Sequence, residues 1–295
     1  MDDGGAQNTV GVNASALGEE EAAYAELFRA QGMLRVNGVL GSSTCAHLRE
    51  HLDANLAEAQ AMLPAGGNGE NRWDMFLKLT PLVLAAITET ITPLRPLLDR
   101  LFAPDAALCE LSALVSDSGA PRQPLHFDTG LEPNAPLLMT CFIAMQDITD
   151  DMGPTVMLPC SVSAAAHQQL THADEAALGN ILGSTATVGD LQLPAVRCTL
   201  KAGDVALMDS RLLHCGGANT TVTPPGTAAT ATRRRLLYYT MCEGGGKQLP
   251  RGASYSMFPV YRDKLRLGFI DDWADHMDYD IQPAEGLATT PQRKG

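Results

Sequence analysis

Residues 123–130 read QPLHFDTG, and this stretch decides the fold of the chain. Its His126 and Asp128 are two residues apart, and on a β-strand the side chains of residues i and i+2 point the same way. A third candidate ligand, His214, follows later in the chain. Two imidazoles and one carboxylate on one face of a ferrous ion leave positions open for a co-substrate and O2. The spacing therefore predicts a metal site carried by strands.

Two other His-x-Asp strings provide a comparison. His172-Ala173-Asp174 lies in a segment rich in Ala, Gln and Glu, which is typical of a helix or surface loop. His276-Met277-Asp278 is followed by no later histidine. Residues 123–130 combine hydrophobic flanks, a glycine directly after the motif and a later histidine. This context favours them as the metal-binding string, because a short motif counts only with its surroundings.

The sequence around His214 supports this assignment. Gly203-Asp204 predicts a tight turn, Val205–Met208 a buried strand, and His214 then enters a glycine-rich turn closed by Asn219. A histidine at a strand edge beside small residues leaves room for a bound co-substrate.

Three consecutive arginines precede the apolar run LLYYTM. Strand alternation places Arg234 on the opposite face from Arg233 and Arg235, together with Leu236 and Tyr238. An arginine that points into the protein needs an anion, and its guanidinium matches a carboxylate bidentately. The alternative is that all three arginines form a solvated basic cluster.

Four blocks in order resemble the phytanoyl-CoA dioxygenase family of Fe(II)/2-oxoglutarate oxygenases. They are QPLHFDTG, MTCFIAMQDITDDMGPTVMLPCS, GDVALMDSRLLHCGGANTT and RRRLLYYTM. The N-terminal AELFRAQGMLRVNGVLGSSTCAHLREHL is similar to the opening of that family, so the resemblance covers about residues 22–245. It implies that His126, Asp128 and His214 are catalytic Fe(II) ligands. It also implies that Arg234 binds the distal carboxylate of 2-oxoglutarate, with either neighbouring arginine as an alternative.

The resemblance implies further cofactor-binding residues, and the sequence departs from it twice. Gln123 matches a glutamine on the co-substrate side of the pocket, while Thr155 and Asn219 fall in matching blocks. Residues 220–232, TTVTPPGTAATAT, lengthen the loop after His214 and predict a surface lid or excursion. Gly216 stands where some relatives have a hydroxyl residue that contacts the co-substrate.

The implied activity is that of an Fe(II)/2-oxoglutarate-dependent dioxygenase. Such an enzyme oxidises a C–H bond of a small molecule while 2-oxoglutarate and O2 yield succinate and CO2, with ascorbate as a supporting reductant. Because related halogenases replace the carboxylate ligand by a small residue, Asp128 favours hydroxylation, desaturation or another oxidation.

Two other functions remain open at this stage. One is a cupin-like Zn or Mn enzyme, an isomerase or hydrolase, which would leave Arg234 unexplained. The other is an inactive small-molecule-binding protein on the same fold. Turnover of 2-oxoglutarate to succinate would separate the first hypothesis from both.

Composition limits the partners. The 295 residues carry a net charge of -13, which argues against nucleic acid because phosphate binding requires a basic surface. Seven cysteines without a CxxC pair predict reduced thiols and a cytoplasmic location. The N-terminus has no apolar signal core, and no apolar run reaches about 18 residues, so we expect neither secretion nor a membrane span. A monomer or homodimer is expected.

The chain is predicted to contain one oxygenase domain over residues 19–281, with its β core at about 108–245. Residues 1–18 are predicted to be a disordered tail and 282–295 a loose one. The segment NRWDMFLKL lies near the barrel mouth in the family, so Arg72, Trp73 and Lys78 are candidate substrate contacts. Trp73 can equally be a core residue.

Local patterns predict the elements around this core. Helices are predicted at Glu19–Gln31 and Ser43–Met62, and from Pro81 toward Leu101; Met33–Leu40 is a predicted strand, Leu63–Glu70 a loop, and Ala164–Leu191 an insertion of helix or loop. The predicted class is α+β with a mainly β core. Its architecture is a double-stranded β-helix, a cupin-like jelly roll of eight core strands, with N-terminal helices buttressing one sheet and iron between the sheets near one mouth.

Overall fold

The computed structural model describes residues 11–61, 71–172, 180–246, 249–277 and 287–289. Its helices are α1 (Glu21–Gln31), α2 (Ser42–Ala61), α3 (Pro81–Leu101) and α4 (Ala164–His172). Its strands are β1 (Gly11–Asn13), β2 (Met33–Asn37), β3 (Arg72–Phe76), β4 (Ala107–Ser116), β5 (Leu138–Ala144), β6 (Thr155–Met157), β7 (Asn180–Leu182), β8 (Thr185–Val188), β9 (Leu191–Pro194), β10 (Val196–Arg197), β11 (Val205–Asp209), β12 (His214–Gly216), β13 (Arg234–Cys242) and β14 (Leu287–Thr289).

An eight-stranded major sheet has the order β1-β2-β11-β5-β13-β4-β3-β14, and a minor sheet has the order β10-β6-β12. Within the major sheet, β11, β5, β13, β4 and β3 pair antiparallel with their neighbours. The predicted class and the double-stranded β-helix type are confirmed, although the two sheets do not close into a barrel.

The helices cover one face of the major sheet. In α3 the side chain of Thr80 accepts a hydrogen bond from Val83 N at 3.2 Å, and Pro81 occupies the first turn, where its missing N–H costs nothing. Helix α1 ends at Gly32, whose φ of 76° lies in the left-handed region. Apolar residues of α1, α2 and α3 share one core with the outward-facing residues of β4, β5 and β13. The buttressing role predicted for the N-terminal helices is therefore confirmed.

Alternation along β13 separates this helix-covered face from the inner face. Leu237 and Tyr239 belong to the core under the helices. Leu236 and Tyr238 belong instead to a second core, which includes Met157 of the minor sheet. The inner face of the major sheet therefore faces the minor sheet, and the space between them is where the site must lie.

Several predicted boundaries are wrong. Gly11–Asn13 pairs in parallel with β2, and Leu17 is fully buried, so the predicted tail over 1–18 is folded from residue 11 to 17 because its apolar residues reach the core. Leu287–Thr289 pairs with β3, within the predicted loose tail over 282–295. The insertion Ala164–Leu191 holds a hairpin as well as a helix, since β7, β8 and β9 form a separate sheet. The predicted loop Leu63–Glu70 lies outside the described residues.

All seven cysteines are free thiols, and six of them are buried. Within the described residues, no helix combines the length and apolarity needed to cross a bilayer.

One turn makes a sharp demand on its residue type. Gly203, at a φ of 88°, accepts hydrogen bonds from Val39 N and Leu40 N at 2.9 Å each. A Cβ at this position would lie 2.1 Å from Leu40 O, whereas a Cβ at Gly226, with a φ of 82°, would meet nothing within 4 Å.

These two glycines therefore form a matched pair for a stability test. Gly226→Ala should lower the free energy of unfolding by about 1 kcal/mol, the cost of a left-handed alanine. Gly203→Ala should lower it by roughly 3 kcal/mol or more, because backbone atoms must also move. Urea unfolding of both variants measures the difference, and equal losses would show that the contact with Leu40 is unimportant.

Candidate metal centre

A reciprocal pair of backbone hydrogen bonds joins the His-x-Asp motif to β12. His126 N donates to His214 O at 2.9 Å, and His214 N donates to His126 O at 2.8 Å. Asp128 N donates to Ser210 O at 2.9 Å, so the motif is held along the turn that leads into β12. The predicted strand over this motif is reduced to a single antiparallel bridge, yet its extended backbone keeps the two side chains on one side.

The three predicted ligands come together. One ligand atom from each of His126, Asp128 and His214 lies within 4.8 Å of the others. His126 Nε2 is 3.9 Å from Asp128 Oδ1, and His214 Nε2 is 3.7 Å from Asp128 Oδ2. His126 and Asp128 are partly exposed, whereas His214 is buried. This is a two-nitrogen, one-oxygen donor set at the edge of the space between the sheets.

Backbone carbonyls fix the tautomers of both histidines. His126 Nδ1 lies 2.9 Å from Pro124 O, and His214 Nδ1 lies 3.0 Å from Leu212 O. A carbonyl oxygen only accepts, so each Nδ1 carries the proton and each Nε2 keeps its lone pair. Such outer contacts orient imidazole ligands in metalloproteins.

The residues between and beside the ligands face the other way. The ring of Phe127 stacks on His167 at a centroid distance of 4.3 Å, and His167 Nε2 donates to Arg211 O at 2.8 Å. Cys215 is fully buried on the outer side of the minor sheet, where burial raises the pKa of its thiol. Neither residue is placed to bind the ion.

Arg234 is buried in the space between the sheets. Its guanidinium donates to Gly153 O and, at 3.3 Å, to Ser116 Oγ, while its Nε has no acceptor among the described residues. Burial, and then the nearby charge of Arg72, lowers the pKa of Arg234 to about 9. This buried cation pairs with no carboxylate in the described part of the chain, so it is suited to an anionic ligand.

The two neighbouring arginines lie on the opposite face and have carboxylate partners. Arg233 Nε is 2.6 Å from Asp117 Oδ1, and Arg235 Nη2 is 2.6 Å from Asp53 Oδ2. The alternative of a solvated cluster is wrong, because all three arginines are buried. We call His126, Asp128 and His214 the triad. Of the three arginines, Arg234 is the one that faces the space that the triad borders.

Gly216 has no side chain, and two of the predicted site residues occupy the space that one would take. Gly216 N donates to Gln123 Oε1 at 2.9 Å, and Arg72 Nη2 donates to Pro121 O at 2.8 Å and to Gly217 O at 3.0 Å. A Cβ at position 216 would lie 2.5 Å from Gln123 Oε1 and 2.6 Å from Arg72 Nη1. The absent hydroxyl side chain is thus explained, because Arg72 and Gln123 fill its place.

Thr155 and Asn219 have different surroundings. Thr155 pairs with Gly216 in the minor sheet and lines a small, mainly apolar cavity that Arg234 also borders. Asn219 Nδ2 donates to Ser116 O and to Thr232 O, both at 3.0 Å. Asn219 precedes the loop over 220–232, and its amide links the last residue of that loop and β4. Its hydrogen bonds therefore stabilise the loop.

The three candidate substrate residues separate in space. Arg72 is buried beside Arg234, as described above. Trp73 is partly buried and packs against the core under the helices, because strand alternation turns it away from Arg72. Lys78 is half-buried beyond the end of β3, in the connection to α3.

Sequence reasoning missed a polar pair on the inner face. The hydroxyl of Tyr238 donates to both carboxylate oxygens of Asp74, at 3.1 and 3.0 Å. Tyr238 was expected on the face of Arg234, but no short motif marks Asp74. The signal that could have found it is alternation in β3, which puts Asp74 on the face of Arg72.

Comparisons with known proteins agree with this geometry. The family model described as Phytanoyl-CoA dioxygenase (PhyH) matches residues 28–224, and the chain belongs to that family. A search of curated protein sequences found no match.

Several solved structures share this fold. The non-heme alpha ketoglutarate dependent carbocyclase SnoK from nogalamycin biosynthesis is 20% identical, with a TM-score of 0.55, over 81% of this chain and 90% of that one. The epimerase SnoN, in complex with Fe3+, alpha ketoglutarate and nogalamycin RO, is 17% identical, with a TM-score of 0.50, over 82% and 91%. HygX from Streptomyces hygroscopicus, with nickel and 2-oxoglutarate bound, is 15% identical, with a TM-score of 0.52, over 80% and 94%. At these identities the likeness establishes the fold.

The contrast between the arginines predicts that their substitutions affect the stability of the ligand-free protein to different extents. Arg235→Met should lower the free energy of unfolding by about 2 to 3 kcal/mol. The substitution removes the Arg235 partner of the Asp53 carboxylate, and Arg233 remains as the second arginine that contacts it. Arg234→Met should change it by less than about 1 kcal/mol, since losing an uncompensated buried charge offsets the lost hydrogen bonds. Urea unfolding without added metal or acid measures both. A large loss in Arg234→Met would make that arginine a structural residue.

Proposed function

We propose that this protein is an Fe(II)/2-oxoglutarate-dependent dioxygenase that oxidises a small molecule. The observation that carries the proposal is the buried Arg234, which has no carboxylate partner among the described residues and shares the space between the sheets with the triad. A metal site alone would fit many enzymes. A metal site combined with a buried guanidinium fits a co-substrate that chelates the metal at one end and carries a carboxylate at the other.

The donor set suits a ferrous ion. His126 Nε2, His214 Nε2 and one Asp128 oxygen would hold it, with both imidazoles oriented by their carbonyl contacts. Two nitrogens and one oxygen on one side are typical of non-heme Fe(II) oxygenases. When bound, the iron supplies oxidation of a C–H bond at the expense of O2 and 2-oxoglutarate, which leaves as succinate and CO2.

Arg234 would hold the distal carboxylate of 2-oxoglutarate, and Arg72 would add a second positive charge beside it. Gln123 accepts a hydrogen bond from Gly216 N and, together with Arg72, occupies the space beside that glycine. The retained Asp128 carboxylate supports oxygenation over halogenation. Because relatives of this fold are named carbocyclase and epimerase, hydroxylation is one of several oxidative outcomes that the proposal includes.

The seven free thiols support a reducing compartment such as the cytoplasm. We propose a small-molecule substrate for a monomer or homodimer, with ascorbate supporting turnover by keeping the iron ferrous.

Removing any one ligand should remove the metal. His126→Ala, Asp128→Ala and His214→Ala should each weaken Fe(II) binding by at least about tenfold, the effect of disturbing even an outer contact of a metal ligand. Each should also abolish succinate release. Titration with Fe(II) under argon measures the first effect, and thermal unfolding confirms the fold. Full activity in one variant would exclude that residue from the ligand set.

Arg234 should set the requirement for 2-oxoglutarate. Arg234→Ala should weaken 2-oxoglutarate binding by about 2 to 5 kcal/mol, the usual loss when one partner of a buried charged hydrogen-bond pair is removed. Arg233→Ala and Arg235→Ala are the matched controls, because both side chains lie on the other face and contact carboxylates. Calorimetric titration compares the three. An equal loss in a control would contradict the assignment.

The reaction class can be tested without the substrate. Under anaerobic conditions, Fe(II) and 2-oxoglutarate together should give a weak charge-transfer band in the visible, since a 2-oxo acid that chelates ferrous iron produces one. In air, the same mixture should release succinate slowly. Absence of both signals would overturn the proposal and favour a Zn or Mn enzyme of the cupin type.

A further inference from the structure

The inner face of the major sheet is polar where it faces the metal centre. Strand register puts Tyr238 of β13 beside Ser112 of β4, and it puts Asp74 of β3 beside Leu114, which is two residues from Ser112 on the same face. The Tyr238 hydroxyl donates to Asp74, as described above. Farther along the same face, Thr240 donates to the Glu110 carboxylate. We call the set Asp74, Glu110, Ser112 and Tyr238 the acidic wall.

Two connections place the acidic wall opposite the triad. His214 pairs with Met157 in the minor sheet, and Met157 shares a core with Tyr238, so the side chains of His214 and Tyr238 both point into the space between the sheets. The second connection is the loop from Gly252 to Ser256. A Cβ on Gly252 would lie 2.7 Å from Asp128 O, and Ser256 O accepts from Ser112 Oγ at 2.9 Å. The four Cα–Cα steps from residue 252 to residue 256 span no more than about 14 Å, so this loop ties Ser112 of the acidic wall to the backbone beside Asp128.

Solvent reaches the two carboxylates of the acidic wall, whereas Ser112 and Tyr238 are buried. Every residue of β5 and β13 is buried, but Asp74, Leu114 and Glu110 on the inner face are only half-buried. His126 and Asp128 are also partly exposed, with 29% and 28% of their side chains accessible. Both sides of the space between the sheets are thus partly accessible to solvent, and we call the part that lies between the triad and the β3–β4 side of the sheet the cleft.

Charge divides the cleft into two ends. Arg72 and Asp74 lie two residues apart on one face of β3, so the same strand presents a cation beside Arg234 and an anion on the acidic wall. Burial, followed by the charges of Asp74 and Glu110, raises the pKa of Tyr238 well above its ordinary value, so its hydroxyl remains a neutral donor to Asp74. An anion entering the cleft is drawn to the arginine end and repelled at the other.

We propose that the acidic wall binds the hydrogen-bond donor groups, ammonium or hydroxyl, of a polar substrate that carries no negative charge. Asp74 is the specificity-determining residue, and Tyr238 is a positioning residue that orients the Asp74 carboxylate. Acyl thioesters and carboxylic acids are the classes that this wall rejects. The inference rests on the proposed function, because it assigns the substrate class of the same site.

The test uses probes on one skeleton that differ in charge. The full-length protein is loaded with 2-oxoglutarate and Ni(II), which does not support turnover, and is titrated calorimetrically with glucosamine, glucose, glucuronate and octanoyl-CoA. Glucosamine should bind most tightly, glucose next, and the two anions most weakly. Tightest binding of either anion, or no binding of any probe, would overturn the proposal.

Variants locate the effect. Asp74→Asn should weaken glucosamine binding by about 10- to 100-fold, the range for one hydrogen bond to a charged group, and should narrow its advantage over glucuronate. Tyr238→Phe should weaken it by about 5-fold, the value of one hydrogen bond, and carries the test if Asp74→Asn does not fold. Asp147→Asn is the matched control, because Asp147 is an exposed carboxylate paired with Lys201. Unchanged probe affinities in both wall variants would remove Asp74 from the site.

Failure of the two proposals can be told apart. If the Ni(II)-loaded wild-type protein gives no heat with 2-oxoglutarate, the proposed function fails. If 2-oxoglutarate binds but the probes do not follow the predicted order, the substrate assignment alone fails.

Discussion

The exchange of backbone hydrogen bonds between His126 and His214 is the interaction on which the site depends. It joins segments far apart in sequence, and it brings two imidazoles to one carboxylate. Nδ1 contacts with carbonyl oxygens then leave both Nε2 atoms as acceptors toward the ion. Folding therefore orders the three ligands, and the binding of a metal is stronger because it does not have to order them.

The co-substrate end of the site also depends on how the fold positions its side chains. Arg234 is held in the interior by the strand that carries it, at a cost reflected in its lowered pKa. Arg233 and Arg235 flank it on the other face and fasten β13 to α2 through Asp53. One run of three arginines therefore serves two purposes, because a strand sends alternate residues to opposite sides. Gly216 adds the space in which Arg72 and Gln123 meet, which a larger residue would remove.

Much of the site could be predicted from sequence because its rules are local. The i, i+2 spacing identified His126 and Asp128, and alternation distinguished Arg234 from its neighbours. The rest depends on tertiary pairing. Asp74 became visible only once β3 was paired with β4, and Trp73 proved to face the helices for the same reason. The strands within Ala164–Leu191 were missed because each has only three or four residues, too few for alternation to identify a strand.

The burial of Arg234 also affects how the protein responds to its medium. Ions in solution screen charges that solvent can reach, over about 8 Å at physiological ionic strength, and screen buried charges much less. A dicarboxylate held by Arg234 would interact with a guanidinium that is only 1% exposed. Its attachment is therefore governed by fit and desolvation, and salt should hardly alter it. The Asp74 and Glu110 carboxylates of the acidic wall are only half-buried, so contacts made with them weaken more as salt rises, and the two ends of one cleft respond differently to the same change in ionic strength.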